Sequence, residues 1–370
     1  MEQKVMGLAM VVIVTITVAL SFVLMSYPQL HNVAESMEEQ REGMVLNGQS
    51  VFDLLKGHGV NESDAASNEL LPVVEEDKLK GHQIRLTLPD NIKSDAVSVE
   101  SDYVNKITRV SIKGITNTYF DDYPMIGNPD NIVDVVYSNL NRVGSIDIAM
   151  DKVKEIAMTT EGNYLYLDFI DAKDIYEHVV VIDAGHGGKA PGATKQGVSE
   201  KNIDLDIVLA LKELFDEKPI PGLKVYYTRT TDVNPAFMNR VGLANDTKAD
   251  VFVSVHNNST KSCRRSGTSG TEVMYHETDR SGESLRLSMI LLDNLIESLG
   301  TKNKGTVKGD EIYIIREAKV PVALIEVGFM TNKTELNNLC DEEYQKMCAQ
   351  AIYDGIMEYI YHDLGENEDE

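Results

Sequence analysis

The sequence predicts an α/β protein: a mixed sheet flanked by helices, preceded by a small all-β domain and an N-terminal transmembrane helix. Three observations carry that reading. Beyond residue 178, apolar β-runs alternate with helix-period segments, the pattern of a sheet covered on both faces. Over 82–172 the apolar residues recur every second position. Near the amino terminus, residues 5–27 contain no charged side chain.

The terminal run, VMGLAMVVIVTITVALSFVLMSY, is read as a signal anchor. Roughly 20 such residues cross a hydrocarbon core at about 1.5 Å each. A cleaved signal peptide is the rival, but its apolar region is shorter and ends in small residues, and no A-x-A pattern follows Leu20. Lys4 is the only basic residue before the run, and acidic residues dominate after it. This places 1–4 in the cytoplasm and the remainder outside, as a single-pass membrane protein. Residues 28–80 form a polar stalk or linker, with Glu35, Glu38, Glu39 and Glu42 in a helical part and NESDAASNE at 61–69 as spacer.

Residues 81–175 form the small β-sandwich. Ile84, Leu86 and Leu88 alternate with polar residues, as do Thr108, Val110 and Ile112, then Ile146, Ile148 and Met150. Glu161-Gly162-Asn163 turns between runs at 155–160 and 164–170. It loosely resembles the β-sheet domain found ahead of the catalytic domain in some bacterial cell-wall amidases, where that domain binds the wall; a ligand-free spacer is the alternative.

Residues 176–363 form the α/β domain. Strands are expected at 179–183, 223–228, 251–255, 271–276, 311–315 and 322–327. Helices are expected at about 200–217, with Ser199 as N-cap, and at 236–246, 282–299 and 342–361. The tail 364–370 is acidic.

Composition narrows the function. The 370 residues carry 35 Lys and Arg against 59 Asp and Glu, a formal charge of -24. That disfavours a nucleic-acid partner, which needs a basic footprint, and argues against bulk charge attraction to anionic membranes or wall polymers. Cys263, Cys340 and Cys348 form no CxxC pair, so neither a disulfide framework nor a thiolate zinc cluster is expected.

The chemistry concentrates in four residues. His186 and His256 each follow a buried β-run, so both project from the carboxyl edge of one sheet. Glu200 starts the helix entered directly from the His186 loop. Two imidazoles and a carboxylate are a zinc set with a fourth position left for water. Such a site needs a base, and Glu326 sits at the end of the apolar strand Val320 to Val327, where a carboxylate is costly to bury without a task. Taken singly, each has an ordinary reading: a satisfied strand-end histidine, a helix-start acid favoured by the dipole, half of an ion pair. Their convergence points to a site. His276, which also follows a strand, lacks a comparable context and is left out, as are the other histidines.

VIDAGHGG, SEKN before an apolar helix, TRTTD, SVHNNS and VALIEVGFMTN occur in this order. They resemble the zinc-dependent N-acetylmuramoyl-L-alanine amidases of the family-3 type over about 177–363. The resemblance implies one zinc ion per domain held by His186, Glu200 and His256, with Glu326 as catalytic acid/base. The implied reaction is hydrolysis of the amide between N-acetylmuramic acid and L-alanine in peptidoglycan, the activity of an autolysin. Asn258, Arg229 and Arg240 lie in matching motifs and suit either core support or substrate contact. Two alternatives remain: a zinc peptidase acting on the stem peptide, and a catalytically silent wall-binding scaffold. Where many relatives carry an acidic residue two positions after GHGG, this chain has Ala190 before Pro191 and Gly192. Segment 260–310 has ordinary length for strand, helix and connection. An open cleft with no obligatory protein partner is therefore expected.

Overall fold

The runs of β-branched residues from Val179 and Val251 pair in parallel, and the rest of the α/β domain is arranged on them. The computed structural model describes residues 65–66, 76–127 and 131–361. The apolar stretch 5–27, the stalk apart from its last residues, and the acidic tail lie outside the described residues. Among the described residues, no helix is long and apolar enough to cross a membrane.

Within 84–170 two antiparallel sheets share one core. One orders its strands 65–66, 132–140, 143–150, 107–113 and 97–102; the other, 126–127, 84–87, 164–170 and 155–161. The period-two residues meet between them: Ile84, Leu86, Leu165 and Leu167 face Val110, Ile112, Ile146 and Ile148, all fully buried. At about 1.5–3 kcal/mol per fully buried aliphatic side chain, this alternation is what fixes the register.

Beyond it the α/β domain comprises β1 (His178–Ala184), α1 (Glu200–Glu217), β2 (Leu223–Tyr227), α2 (Phe237–Asp246), β3 (Val251–Asn258), β4 (Thr271–Tyr275), α3 (Glu283–Leu299), β5 (Asn303–Lys308), α4 (Tyr313–Arg316), β6 (Val322–Phe329), α5 (Lys333–Leu339) and α6 (Glu342–Tyr361). The six strands are ordered β2-β1-β3-β6-β4-β5. All neighbours are parallel except β6 with β4, so the sheet is mixed. Alternate residues serve alternate faces. Val180, Ile182 and Ala184 pack with the apolar faces of α1, α3 and α6, while Val179 and Val181 pack with α2, α4 and residues of the preceding β region. A helix layer on each side explains why β1, β3 and β6 are apolar throughout rather than alternating.

That second core is shared. Tyr103, Val104, Val153 and Ala172 pack against Val179, Val181 and Tyr226. At the same seam Glu155 accepts hydrogen bonds from Tyr226 (2.6 Å) and Tyr103 (3.0 Å) and pairs with Lys224 at 3.2 Å. Lys106 pairs with Asp246 at 2.7 Å.

Three local expectations are corrected. The run 311–315 is not a strand: Tyr313–Arg316 is a single helical turn that buries Ile314 and Ile315, and Ile312 is held back by a bond to the Gly309 carbonyl at 2.8 Å. The neighbouring strand is instead the polar segment Asn303–Lys308, an edge strand that buries little. Ser199 occupies the N-cap position of α1, but its hydroxyl lies 3.5 Å from that of Thr194 and makes no cap bond. The first amides of α1 are satisfied by loop carbonyls, Glu200 to Ala193 at 2.8 Å and Lys201 to Pro191 at 3.2 Å.

Candidate metal centre

His186, Glu200 and His256 come together at the carboxyl edge of the sheet. His186 sits two residues past β1 in the left-handed region (φ 57°), and its Nε2 lies 3.1 Å from Glu200 Oε1. Its loop is pinned by two arginines. Arg229 donates to the carbonyls of Ala184 (2.8 Å), Gly185 (2.6 Å) and Lys201 (2.8 Å). Arg240, fully buried, donates to those of Ala184 (2.7 Å), His186 (2.6 Å) and Pro235 (2.9 Å) and pairs with Asp183 at 2.6 Å. Both therefore support the frame of the site. Asn258 donates to Glu272 at 2.7 Å.

Asp183 has no solvent contact. Burial pushes its carboxyl up, but the Arg240 charge and hydrogen bonds from Ser254 and Thr228 outweigh it and hold the pKa at about 2. The glycines beside His186 are close-approach positions. A Cβ on Gly185 would overlap the His256 ring; one on Gly192 would lie 2.5 Å from Glu200 Oε2 and 2.7 Å from the His186 ring.

Glu200, buried at the first turn of α1, is the hub. Its Oε1 lies 3.1 Å from His186 Nε2 and 3.2 Å from His256 Nδ1, and accepts the Asn257 amide at 3.1 Å. Its Oε2 accepts the Ala193 amide at 2.7 Å. Burial opposes ionisation, yet the two imidazoles outweigh it and lower the carboxyl pKa. The imidazole rings stand nearly perpendicular with centroids 4.8 Å apart.

One carboxylate was not foreseen. Asp204, one helical turn beyond Glu200, is fully buried and offers an oxygen to the same cluster. The four donor atoms of His186, Glu200, Asp204 and His256 lie within 4.8 Å of one another. Asn257 donates to its Oδ1 at 2.8 Å, while Oδ2 has no partner among the described residues. Burial and the Glu200 charge push its carboxyl well above the usual range. The i, i+4 spacing from Glu200, with an acid interrupting the apolar face of Ile203 and Ile207, was the available signal.

Glu326 stands beside these donors. It is the register partner of His256 across β3 and β6, and of Glu272 across β6 and β4. Its Oε2 is buried and without a hydrogen-bond partner among the described residues. Burial first, then the neighbouring charges of Glu200 and Glu272, raise its carboxyl pKa well above normal. His276 lies apart, bonded to Thr278 at 2.9 Å and 3.5 Å from Asp310. Among the described residues, segment 260–310 is taken up by its opening loop, β4, α3, β5 and the turn that follows, and α3 packs on the sheet through Leu287, Leu291 and Leu295.

The donor chemistry fits a zinc ion. Two neutral-capable imidazoles and a carboxylate held ionised converge, with orphaned carboxylate oxygens around them. Comparison with known proteins identifies relatives of the α/β domain. Residues 180–358 match the family model described as N-acetylmuramoyl-L-alanine amidase. An uncharacterized protein of Bacillus subtilis is 37% identical over 189 residues, 51% of this chain and 87% of the other. The N-acetylmuramoyl-L-alanine amidase LytC of the same organism is 33% identical over 49% of this chain, which spans only 35% of that relative. Among solved structures, the catalytic domain of the amidase CwlV from Bacillus (Paenibacillus) polymyxa var. colistinus is 36% identical, covering 50% of this chain and 98% of that one, with a TM-score of 0.46.

Proposed function

The chain belongs to the N-acetylmuramoyl-L-alanine amidase family, and from that premise we propose that it hydrolyses the amide between N-acetylmuramic acid and L-alanine in peptidoglycan. The observation that carries the proposal is the convergence of His186, Glu200 and His256 next to Glu326, whose Oε2 is buried and without a hydrogen-bond partner among the described residues. His186, Glu200 and His256 would hold a zinc ion, which when bound supplies Lewis acidity and lowers the pKa of a water to about 7.

The protein's own groups do the rest. Asn257 fixes Glu200 from its backbone amide and Asp204 from its side chain, so the two acids keep distinct orientations. Glu326 takes the proton of the attacking water as the water oxygen bonds to the lactyl carbonyl carbon. It then delivers that proton to the L-alanine nitrogen as the C–N bond breaks. The products are a lactyl carboxylate and a free amino terminus. Its place opposite His256 on the neighbouring strand suits it to holding the proton between the two events. The catalytic domain acts outside the cytoplasm in this reading, facing the cell wall and carried on a single-pass anchor at 5–27 and a stalk, with the 81–175 region as a wall-binding domain.

The test is release of L-alanine amino termini from purified peptidoglycan by the full chain, its zinc-stripped form and Glu326→Gln. Wild type should release them. Loss of the zinc or of the Glu326 carboxylate should each cost at least 100-fold, with metal content retained in Glu326→Gln. Equal cleavage by the zinc-stripped protein sinks the metal mechanism. Release of internal stem-peptide termini instead would make the enzyme a peptidase.

A further inference from the structure

The net charge conceals a local inversion. Residues 185–199, which carry His186 and lead into Glu200, contain Lys189 and Lys195 and no acidic residue. Residues 257–271, which follow His256, contain Lys261, Arg264 and Arg265 and again no acidic residue. These two fifteen-residue segments thus hold five cations and no anion, in a chain with 59 acidic residues against 35 basic. Of the acids in this region, Glu200, Asp204, Glu326 and Glu272 belong to the floor of the site or to strands below it; Asp232 accepts the Gly188 amide at 2.8 Å and pairs with Lys201 at 2.6 Å, and Glu335 accepts the Gly270 amide at 2.7 Å.

These cations are not spent on structure. Lys189, Lys261, Arg264 and Arg265 are exposed, and among the described residues none has an acidic partner. Lys195 does the opposite job, donating to the Cys263 carbonyl at 2.8 Å and so tying one loop to the other. The second loop is fixed further. Cys263 takes a left-handed conformation (φ 51°) closed by its amide bonding Thr260 at 2.7 Å. Ser266 bonds the Thr331 carbonyl at 2.9 Å, and Asn332 bonds that of Thr268 at 3.2 Å. Unpaired cations on a backbone tied this closely lose little freedom when an anion arrives.

We propose that the two loops form a basic rim that binds the free carboxylates of an acidic stem peptide, with Arg264 and Arg265 as the principal contacts. This rests on the amidase reading and names what selects the substrate. A stem peptide leaving L-alanine carries carboxylate groups within a few residues of the scissile amide, and a guanidinium fork matches a carboxylate in two parallel hydrogen bonds. A neutral carboxamide at the same place offers no such match.

The test uses the zinc-loaded full chain and the cleaved-side peptide L-alanyl-γ-D-glutamyl-L-lysine, prepared with a free α-carboxylate on the glutamyl residue or with a carboxamide there. Dissociation constants are measured calorimetrically. Wild type should bind the carboxylate about tenfold more tightly, a preference that falls with added salt. Arg264→Ala/Arg265→Ala should bring the ratio close to one, and Arg264→Lys/Arg265→Lys should restore part of it. Equal affinity of wild type for acid and amide overturns the proposal, as does a variant that weakens both peptides alike. Tight binding of inorganic polyphosphate through the same arginines, without peptide discrimination, would assign the rim to a wall polyanion instead. Because binding of this peptide needs no turnover, a failed amidase assay would count against the proposed reaction and leave this comparison to stand or fall separately.

Discussion

Replacing Arg240 with alanine should cost about 5 kcal/mol of folding stability. Arg240 serves five acceptors, and their fates differ. The Ala184 carbonyl keeps its bond from Arg229, and Asp183 keeps Thr228 and Ser254. The Pro235 and His186 carbonyls lose the donor described for them, and the Asp183 charge is left buried without its counter-ion. Breaking a buried pair by removing one partner costs about 3–5 kcal/mol, and each orphaned polar group about 1–3, with incomplete additivity. Against a typical total of about 5–15 kcal/mol, the variant should sit near the threshold of folding.

Two linked measurements separate this cause from a simple cavity. Asp183→Asn in the Arg240→Ala background should recover about 2 kcal/mol, because it removes the stranded charge. The pH dependence has a definite sign. In wild type the Asp183 pKa is depressed from 3.8 to about 2, so its contribution of about 2–3 kcal/mol is complete above the unfolded value and lost as pH falls through that window. The gap between wild type and Arg240→Ala should therefore narrow as pH falls towards about 2, because the stranded carboxyl of the variant protonates at a higher pH than the wild-type one. Urea unfolding of the metal-free protein followed by tyrosine fluorescence is the assay, since the chain has 16 Tyr and no Trp. An Arg240→Ala protein within 1 kcal/mol of wild type at pH 7, or no recovery in the double variant, would refute the reasoning.

Two further outcomes are expected. Gly185→Ala should cut zinc affinity at least tenfold with little change in the melting of the metal-free protein, read by chelator competition, because its Cβ displaces the His256 ring; unchanged affinity would mean the loop absorbs the methyl. Glu155→Ala should cost about 2–4 kcal/mol and make the 171–177 connection a site of limited proteolysis, because Tyr226, Tyr103 and Lys224 all converge on that carboxylate; intact resistance would mean the apolar packing at the seam suffices.

What could be read from the sequence divides along physical lines. Wherever a residue's neighbours are set by periodicity, the reading held: strand β1 runs His178–Ala184 against the expected 179–183, and α1 and α6 span 200–217 and 342–361 as expected. His186, Glu200 and His256 meet because each terminates or begins such an element. Asp204 was passed over because a lone acid on a helix looks solvated until the facing strand is known, and here Asn257 faces it. Arg229 and Arg240 could have met substrate or frame; only the loop carbonyls 184–186, invisible in sequence, decide for the frame. Segment 311–315 misled because Ile-Tyr-Ile-Ile is β-prone by composition, while two buried isoleucines on one helical turn serve the core equally well. The GFMTN stretch, read for its motif, turns out to contain a helix start: Asn332 accepts the amides of Thr334 and Glu335, and Glu335 accepts those of Phe329 and Gly270.

The seam around Tyr226 bears on how freely this protein could be cut or recombined. Tyr103, Val104, Val153 and Ala172 line the same apolar cluster as Val179 and Val181. A fragment trimmed to begin at residue 176 would therefore turn part of an interior wall into a sticky surface, and its poor behaviour in solution would say nothing about catalysis. Exchange of the sandwich for one from another protein would demand matched substitutions on both sides of the joint. The two halves have the outline of interchangeable modules, yet in this chain they share one apolar wall.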